Sequence, residues 1–231
     1  MYLPTINSFI RFLHASPGAP EVDIYTDGNL MVQNLDYNTV SEYLPVGPEI
    51  MRIQVFPAGE NSNPVLDTEY SIPPSERITL AIIGTLPDLT LLPILMGIGT
   101  TDNDDSFVRF ANLSPDDARF DLSIADGAGL FNDIGYTELT DYVRIAPDTY
   151  TFQIRMAGSD EVLATSKPIL FNPRFAYTIY AIGYLKDEPL LEIGFYDDQV
   201  PFIGNKVERK TEFRKMSSST DKPPRITFIY S

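Results

Sequence analysis

The sequence predicts an all-β chain: two tandem antiparallel β-sandwich domains, Ig-like or transthyretin-like, followed by a C-terminal tail with a short strand. Three observations predict it. A phrase near the start, "FIRFLHASPGAPEVDIYTDG" at 9–28, returns as "FVRFANLSPDDARFDLSIADG" at 107–127. Apolar residues alternate with polar ones at period two, and no stretch carries a sustained helical stripe. Turn signals such as "TDGN", "PAGENSNP", "ADGAG" and "MAGSD" punctuate the chain.

The repeat sets the domain plan. Phe9 matches Phe107, Arg11 matches Arg109, Ser16-Pro17 matches Ser114-Pro115 and Asp23 matches Asp121, all at one shift. After a one-residue insertion Tyr37 meets Tyr136, Tyr43 meets Tyr142, Ala58-Gly59 meets Ala157-Gly158 and Ile83-Gly84 meets Ile182-Gly183. The match runs the length of each unit, and a period near 100 residues is too long for a solenoid. It is the size of a complete sandwich, which implies duplication of one domain over 8–98 and 106–199. Residues 99–105, within "GIGTTDNDDS", are small, polar and acidic, as a linker should be.

Within unit one, Met51, Ile53 and Val55 alternate with Arg52 and Gln54, the pattern of a half-buried strand. In unit two, Tyr150, Phe152, Ile154 and Met156 alternate with Thr151, Gln153 and Arg155. "RITLAIIG" and "AYTIYAIG" are apolar on both faces, which places them centrally in a sheet. Seven or eight short strands per unit are expected.

The tail, 200–231, differs in charge. The chain has a net charge of −15, yet residues 201–231 hold seven Lys/Arg against three Asp/Glu. An acidic body repels nucleic acid and anionic membranes, so neither is expected as a partner. A basic tail on such a body suggests docking on protein, in cis or on a neighbour. After the breaker-rich "SSSTDKPP" comes "RITFIYS", whose Ile226, Phe228 and Tyr230 alternate as a short strand over 225–230. A linker of eight residues reaches about 25 Å when extended. The strand is therefore able to join an edge of its own unit or, by strand addition, an edge of another subunit.

Chemistry is sparse. His14 is the only histidine. A base or metal-ligand role with Asp23 would need partners, and its counterpart in unit two is Asn112, so a strand-end side chain bonded across its loop is the favoured reading. Ser16 and Ser114 precede proline without a nucleophile elbow, which reads as a turn start. Arg11 and Asp23, and likewise Arg109 and Asp121, are expected to form an architectural strand-to-strand pair inside each unit. Asp102, Asp104 and Asp105 offer oxygen ligands for calcium, but the EF-hand pattern fails, since Phe107 stands where glycine is needed and Leu113 where the last ligand belongs. A solvated acidic linker is the simpler reading, with no metal or other cofactor required. There is no cysteine, so neither disulfides nor thiol chemistry is expected. Tyr37, Tyr43, Tyr136 and Tyr142 recur in both units and are expected in cores or on sheet faces. The absence of tryptophan weakens a lectin reading.

The residues Arg11, His14-Ala15-Ser16-Pro17, Ala19-Pro20, Val22-Asp23, Tyr25 and Asp27-Gly28, with the spaced tyrosines and glycines that follow, resemble the bacterial domain of unknown function 4397. Unit two is a degenerate copy, with Asn112-Leu113-Ser114-Pro115 in place of the His-Ala-Ser-Pro run and Leu122 and Ser123 where the family favours Val and Tyr. The resemblance implies a cell-surface or envelope β domain without an assigned activity. Most such proteins carry an export signal, whereas "MYLPTINSFIRF" has neither a basic n-region nor an apolar h-region. No apolar run approaches the roughly 20 residues of a membrane span. The leading expectation is a non-enzymatic structural or interaction protein of a bacterial cell surface, appendage or spore envelope, made in the cytoplasm and released or assembled non-classically. Its partners would be protein, including copies of itself as an oligomer or filament. The alternative is a glycan- or cell-wall-binding module using tyrosine-bearing loops. The third is a hydrolase centred on His14.

Overall fold

The computed structural model describes residues 7–125, 127 and 129–203. The tail strand at 225–230, with Ile226, Phe228 and Tyr230, lies outside the described residues. The first unit contains β1 (Ser8–His14), β2 (Val22–Thr26), β3 (Asn29–Leu35), β4 (Leu44–Val46), β5 (Ile50–Pro57), β6 (Leu66–Ser71), β7 (Arg77–Thr85) and β8 (Asp88–Leu95). The second contains β9 (Ser106–Asn112), β10 (Phe120–Ile124), β11 (Gly129–Ile134), β12 (Val143–Ile145), β13 (Thr149–Tyr150), β14 (Phe152–Met156), β15 (Val162–Thr165), β16 (Ile169–Leu170), β17 (Phe175–Ile182) and β18 (Glu192–Gln199). Among the described residues no helix is long and apolar enough to cross a membrane.

Each unit folds as two sheets. In the first, order β4-β1-β7-β8 faces order β3-β2-β5-β6, and the same plan recurs as β12-β9-β17-β18 and β11-β10-β14-β15, with β13 and β16 as a small ribbon. The all-β sandwich class holds, but one feature departs from a purely antiparallel design. β1 runs parallel to β7, and β9 runs parallel to β17. A parallel pair needs a long crossover. Residues 15–76 supply it by building the second sheet before the chain returns.

The period-two pattern explains the layers. In β1 and β7, Ile10, Phe12, Ile78, Leu80 and Ile82 point into the core shared with β2 and β5. Their neighbours Leu13, Ala81 and Ile83 point the other way and pack on Ala111, Leu113, Tyr180, Ile182 and Tyr196 of the second unit. The second unit repeats the arrangement, with Val108, Phe110, Tyr177 and Ile179 in its own core. Four sheets therefore stack, and the central strands of the two inner ones, β1 with β7 and β9 with β17, bury both faces. That is why β7 and β17 read as apolar on both sides.

Two aspartates, Asp23 buried and Asp121 half-buried, shape the outer sheets. The Asp23 carboxylate accepts the N–H of Asn34 at 2.8 Å and of Gly59 at 2.9 Å. Asp121 accepts those of Asp133 at 2.7 Å and Gly158 at 3.0 Å. Asn34, Asp133, Gly59 and Gly158 all have positive φ. The aspartate ties an irregular stretch of the β2–β3 or β10–β11 pairing to the turn after β5 or β14. This corrects the expected Arg11–Asp23 and Arg109–Asp121 pairs. The carboxylates satisfy backbone donors in left-handed positions, and the arginines face away, toward the other unit.

Candidate functional site

The seam between the inner sheets gathers the arginines and the tyrosines that repeat between units. On β1, Arg11 is 7% exposed. Its Nε donates to Thr79 Oγ1 at 2.9 Å, and its Nη2 meets Asp198 Oδ2 of the second unit at 2.8 Å. The guanidinium lies between the rings of Tyr43 and Tyr196, 4.4 and 4.3 Å from their centroids. Tyr43 donates to the other Asp198 oxygen at 2.8 Å. Burial pushes the Asp198 carboxyl up, while Arg11 beside it pulls the other way. Both oxygens are therefore bonded and the charge is matched, as a buried ion requires.

The mirrored position keeps the arginine and loses the acid. Arg109 Nε donates to Thr178 Oγ1 at 2.9 Å, and its guanidinium lies 4.4 Å from the Tyr142 centroid. Its Nη1 crosses the seam to the Leu95 carbonyl oxygen at 2.7 Å. Met96 follows Leu95 where Asp198 follows Asp197. Burial pushes the Tyr142 hydroxyl up to about 12. The four recurrent tyrosines are thus absorbed by the seam: Tyr43 and Tyr142 by the arginines, Tyr37 and Tyr136 by the apolar cluster between the sheets. Asp198 was missed from sequence because it has no counterpart in unit one.

A second cross-seam bond set lies nearer the loops. Tyr180 donates to Asn38 Oδ1 at 2.8 Å, Asn38 donates to Glu192 at 2.8 Å and Tyr184 donates to the Pro17 carbonyl oxygen at 3.1 Å. Gly194 makes room for this. A Cβ there would stand 2.2 Å from the Tyr180 ring and 2.7 Å from Asn38 Oδ1.

His14 is fully buried at the end of β1. Its Nε2 bonds the Pro20 carbonyl oxygen at 2.9 Å, and its Nδ1 accepts the Ser16 N–H at 3.4 Å. Asn112 braces the second unit's loop in the same way, donating to the Ala118 carbonyl oxygen at 3.1 Å and accepting the Ser114 N–H at 3.2 Å. An imidazole and an amide do the same job because each presents a donor beside an acceptor, the amide's second N–H going to the Ile134 carbonyl oxygen at 3.1 Å. Burial lowers the His14 pKa, opposed by its bond to Pro20. Ser16 is also fully buried, so neither side chain of the would-be hydrolase meets solvent.

The acidic linker does not converge. Asp104 reaches Arg174 at 3.5 Å, Asp105 donates its backbone N–H to Asn103, and among the described residues no three His, Asp or Glu side chains gather as a metal would require. The outer sheets differ at the positions of Tyr25 and Phe56. Tyr25 and Phe56 pack edge-to-face in unit one at 5.3 Å. Their counterparts Ser123 and Arg155 bond each other in unit two and open a polar hollow of about 370 Å³ with Asn132 and Asp160 on its wall.

A family model described as "Domain of unknown function (DUF4397)" matches residues 8–123 and 106–210. No curated protein matches the sequence. Among solved structures, the chain is similar at 7% identity to CBMbc, a family CBM26 module from Eubacterium rectale Amy13K in complex with maltoheptaose. That alignment covers 82% of this chain and 96% of the other at a TM-score of 0.26. A streptococcal virulence factor described for α-glucan binding aligns at 9% identity over 81% and 96% of the two chains, with a TM-score of 0.24. A leucine-rich repeat protein from Bacteroides thetaiotaomicron aligns at 10% identity over 85% of this chain and 27% of that one, with a TM-score of 0.21. Such low TM-scores transfer no function.

Proposed function

We propose that this chain, which belongs to the DUF4397 family, is a non-enzymatic structural or interaction protein of a bacterial cell surface, appendage or spore envelope. It assembles through strand addition by its terminal segment. The observation that carries the reading is the seam. The central strands of both inner sheets bury both faces, and a buried Arg11–Asp198 pair bolts them together, so the two units form one stiff block. The four repeated tyrosines and the two repeated arginines serve that block, and His14 braces a loop beside it. A stiff two-unit brick with a tail whose sequence alternates at period two is suited to assembly, where rigidity sets the geometry between neighbours. The test is the solution mass of the full chain beside a chain ending at Thr211. An oligomeric full chain and a monomeric short one support the reading. Two monomers sink it.

A second reading is a glycan- or cell-wall-binding module. Its tyrosine-loop form loses support because Tyr37, Tyr43, Tyr136 and Tyr142 lie in the seam. The hollow at Ser123 and Arg155 favours a small polyhydroxyl ligand instead, because it presents donors and acceptors on an exposed sheet. A glycan array probed with the full chain would show binding abolished by Arg155→Ala. A blank array removes this reading.

A further inference from the structure

One groove crosses the junction on the linker side. Three hollows of about 420, 350 and 260 Å³ run together there, the first two sharing Gly97 and Ile98 and the last two sharing Arg77 and Pro201. The floor is apolar. Ile98, Phe107 and Tyr142 pack half-buried against Met96, and Phe202 is 46% exposed at the far end.

The rim is cationic on an acidic protein. Ten Lys/Arg stand between residues 7 and 203, and four of them, Arg77, Arg109, Arg144 and Arg174, line this groove against Glu76 and Asp141. Arg109 is held by the seam, and Arg174 pairs with Asp104 and stacks on Phe202. Arg77 and Arg144 join no ion pair among the described residues. Two guanidiniums without a carboxylate partner, Arg144 exposed and Arg77 also 5.9 Å from the Tyr43 ring centroid, stand above an apolar floor and match a chain that carries carboxylates on one side and apolar groups on the other. The chain's own tail is a poor match. It leaves the described fold at Ile203, at this end of the molecule, and its excess of Lys/Arg has the sign of the rim.

We propose that this groove docks an extended acidic segment of a partner protein, its carboxylates on Arg77 and Arg144 and its apolar side chains on Ile98, Phe107 and Phe202. The acidic remainder of the surface repels such a segment, which confines docking to the groove. The proposal rests on the reading of the chain as an interaction protein and is independent of the terminal strand.

The test is fluorescence anisotropy with the full chain and a labelled peptide of about ten residues alternating Glu with Val, at about 50 and about 300 mM salt. The expected result is saturable binding that weakens by about tenfold at the higher salt and is absent for a Lys/Val peptide. Arg77→Glu/Arg144→Glu is expected to lose about tenfold or more in affinity. Arg144→Glu alone, at an exposed side chain outside both cores, is expected to lose affinity while keeping the parent melting temperature. Equal binding of the Lys/Val peptide, or unchanged affinity in either variant, overturns the proposal. If the acidic peptide fails to bind while mass still falls in the chain ending at Thr211, the groove is overturned and the terminal-strand reading stands.

Discussion

Replacing Asp198 with alanine tests the seam most directly. Arg11 and Asp198 have side chains only 8% and 3% exposed. Without the carboxylate, Arg11 keeps Thr79, the Asp197 carbonyl oxygen and two tyrosine rings, but no counter-charge. Tyr43 also loses its acceptor. Breaking a buried pair on one side costs about 3–5 kcal/mol. For a fold of this size each kcal/mol moves the melting temperature by roughly 2–4 °C, so Asp198→Ala should melt roughly 6–20 °C lower. The double variant Arg11→Met/Asp198→Leu removes both charges and should recover most of the loss, because an apolar pair of similar volume is often neutral. Urea titration and thermal melts of parent, singles and double complete the cycle. A loss under about 1 kcal/mol for Asp198→Ala, or a double variant as unstable as the single, would refute the claim that this pair fastens the units.

Other outcomes follow from the same geometry. Arg109→Met should cost less than Arg11→Met in urea midpoint, since Arg109 leaves only a carbonyl behind whereas Arg11 leaves a buried carboxylate. Gly194→Ala should destabilise by about 1–3 kcal/mol in thermal melts, by forcing Tyr180 off Asn38. His14 has a folded pKa below its ordinary value of 6.5, so the unfolded chain binds more protons between the two. Stability from this group is full above about 6.5 and is lost as the pH falls through that window. His14→Asn, copying Asn112, should fold and flatten the urea midpoint against pH across mildly acid conditions. An unchanged slope would show that other groups set it.

Much of the fold was legible because strands write their faces in period two. Met51, Ile53 and Val55 are buried and alternate with exposed Arg52 and half-buried Gln54, and "RITLAIIG" announced a strand buried on both sides. What buried its second face was not legible. Nothing local in Thr79, Ala81 and Ile83 distinguishes a partner sheet in the same unit from one in the next. The parallel pairing of β1 with β7 was hidden for a related reason, since register between strands so far apart leaves no mark at either one. The repeat preserved Arg11 and Asp23 together, which invited pairing them. Their real partners are backbone N–H groups and an unrepeated Asp198, and neither carries a sequence signal. His14 was legible through Asn112, because an amide in the same place points to bracing rather than to proton transfer.

The missing acid opposite Arg109 has a consequence for how the units choose each other. If the two units were separate polypeptides, the first pairing with itself would set two arginines across a seam with no carboxylate, since its position there is Met96. The second pairing with itself would supply an aspartate for each arginine. Mixed pairs would therefore compete with self-pairs of the second unit, and first units would be left over. Joining them through residues 99–105 removes that competition, because the tether holds each first unit at high effective concentration beside its own second unit. Fusion is what allows the two halves of a near-symmetric contact to diverge, one keeping a charged bolt and the other a carbonyl catch.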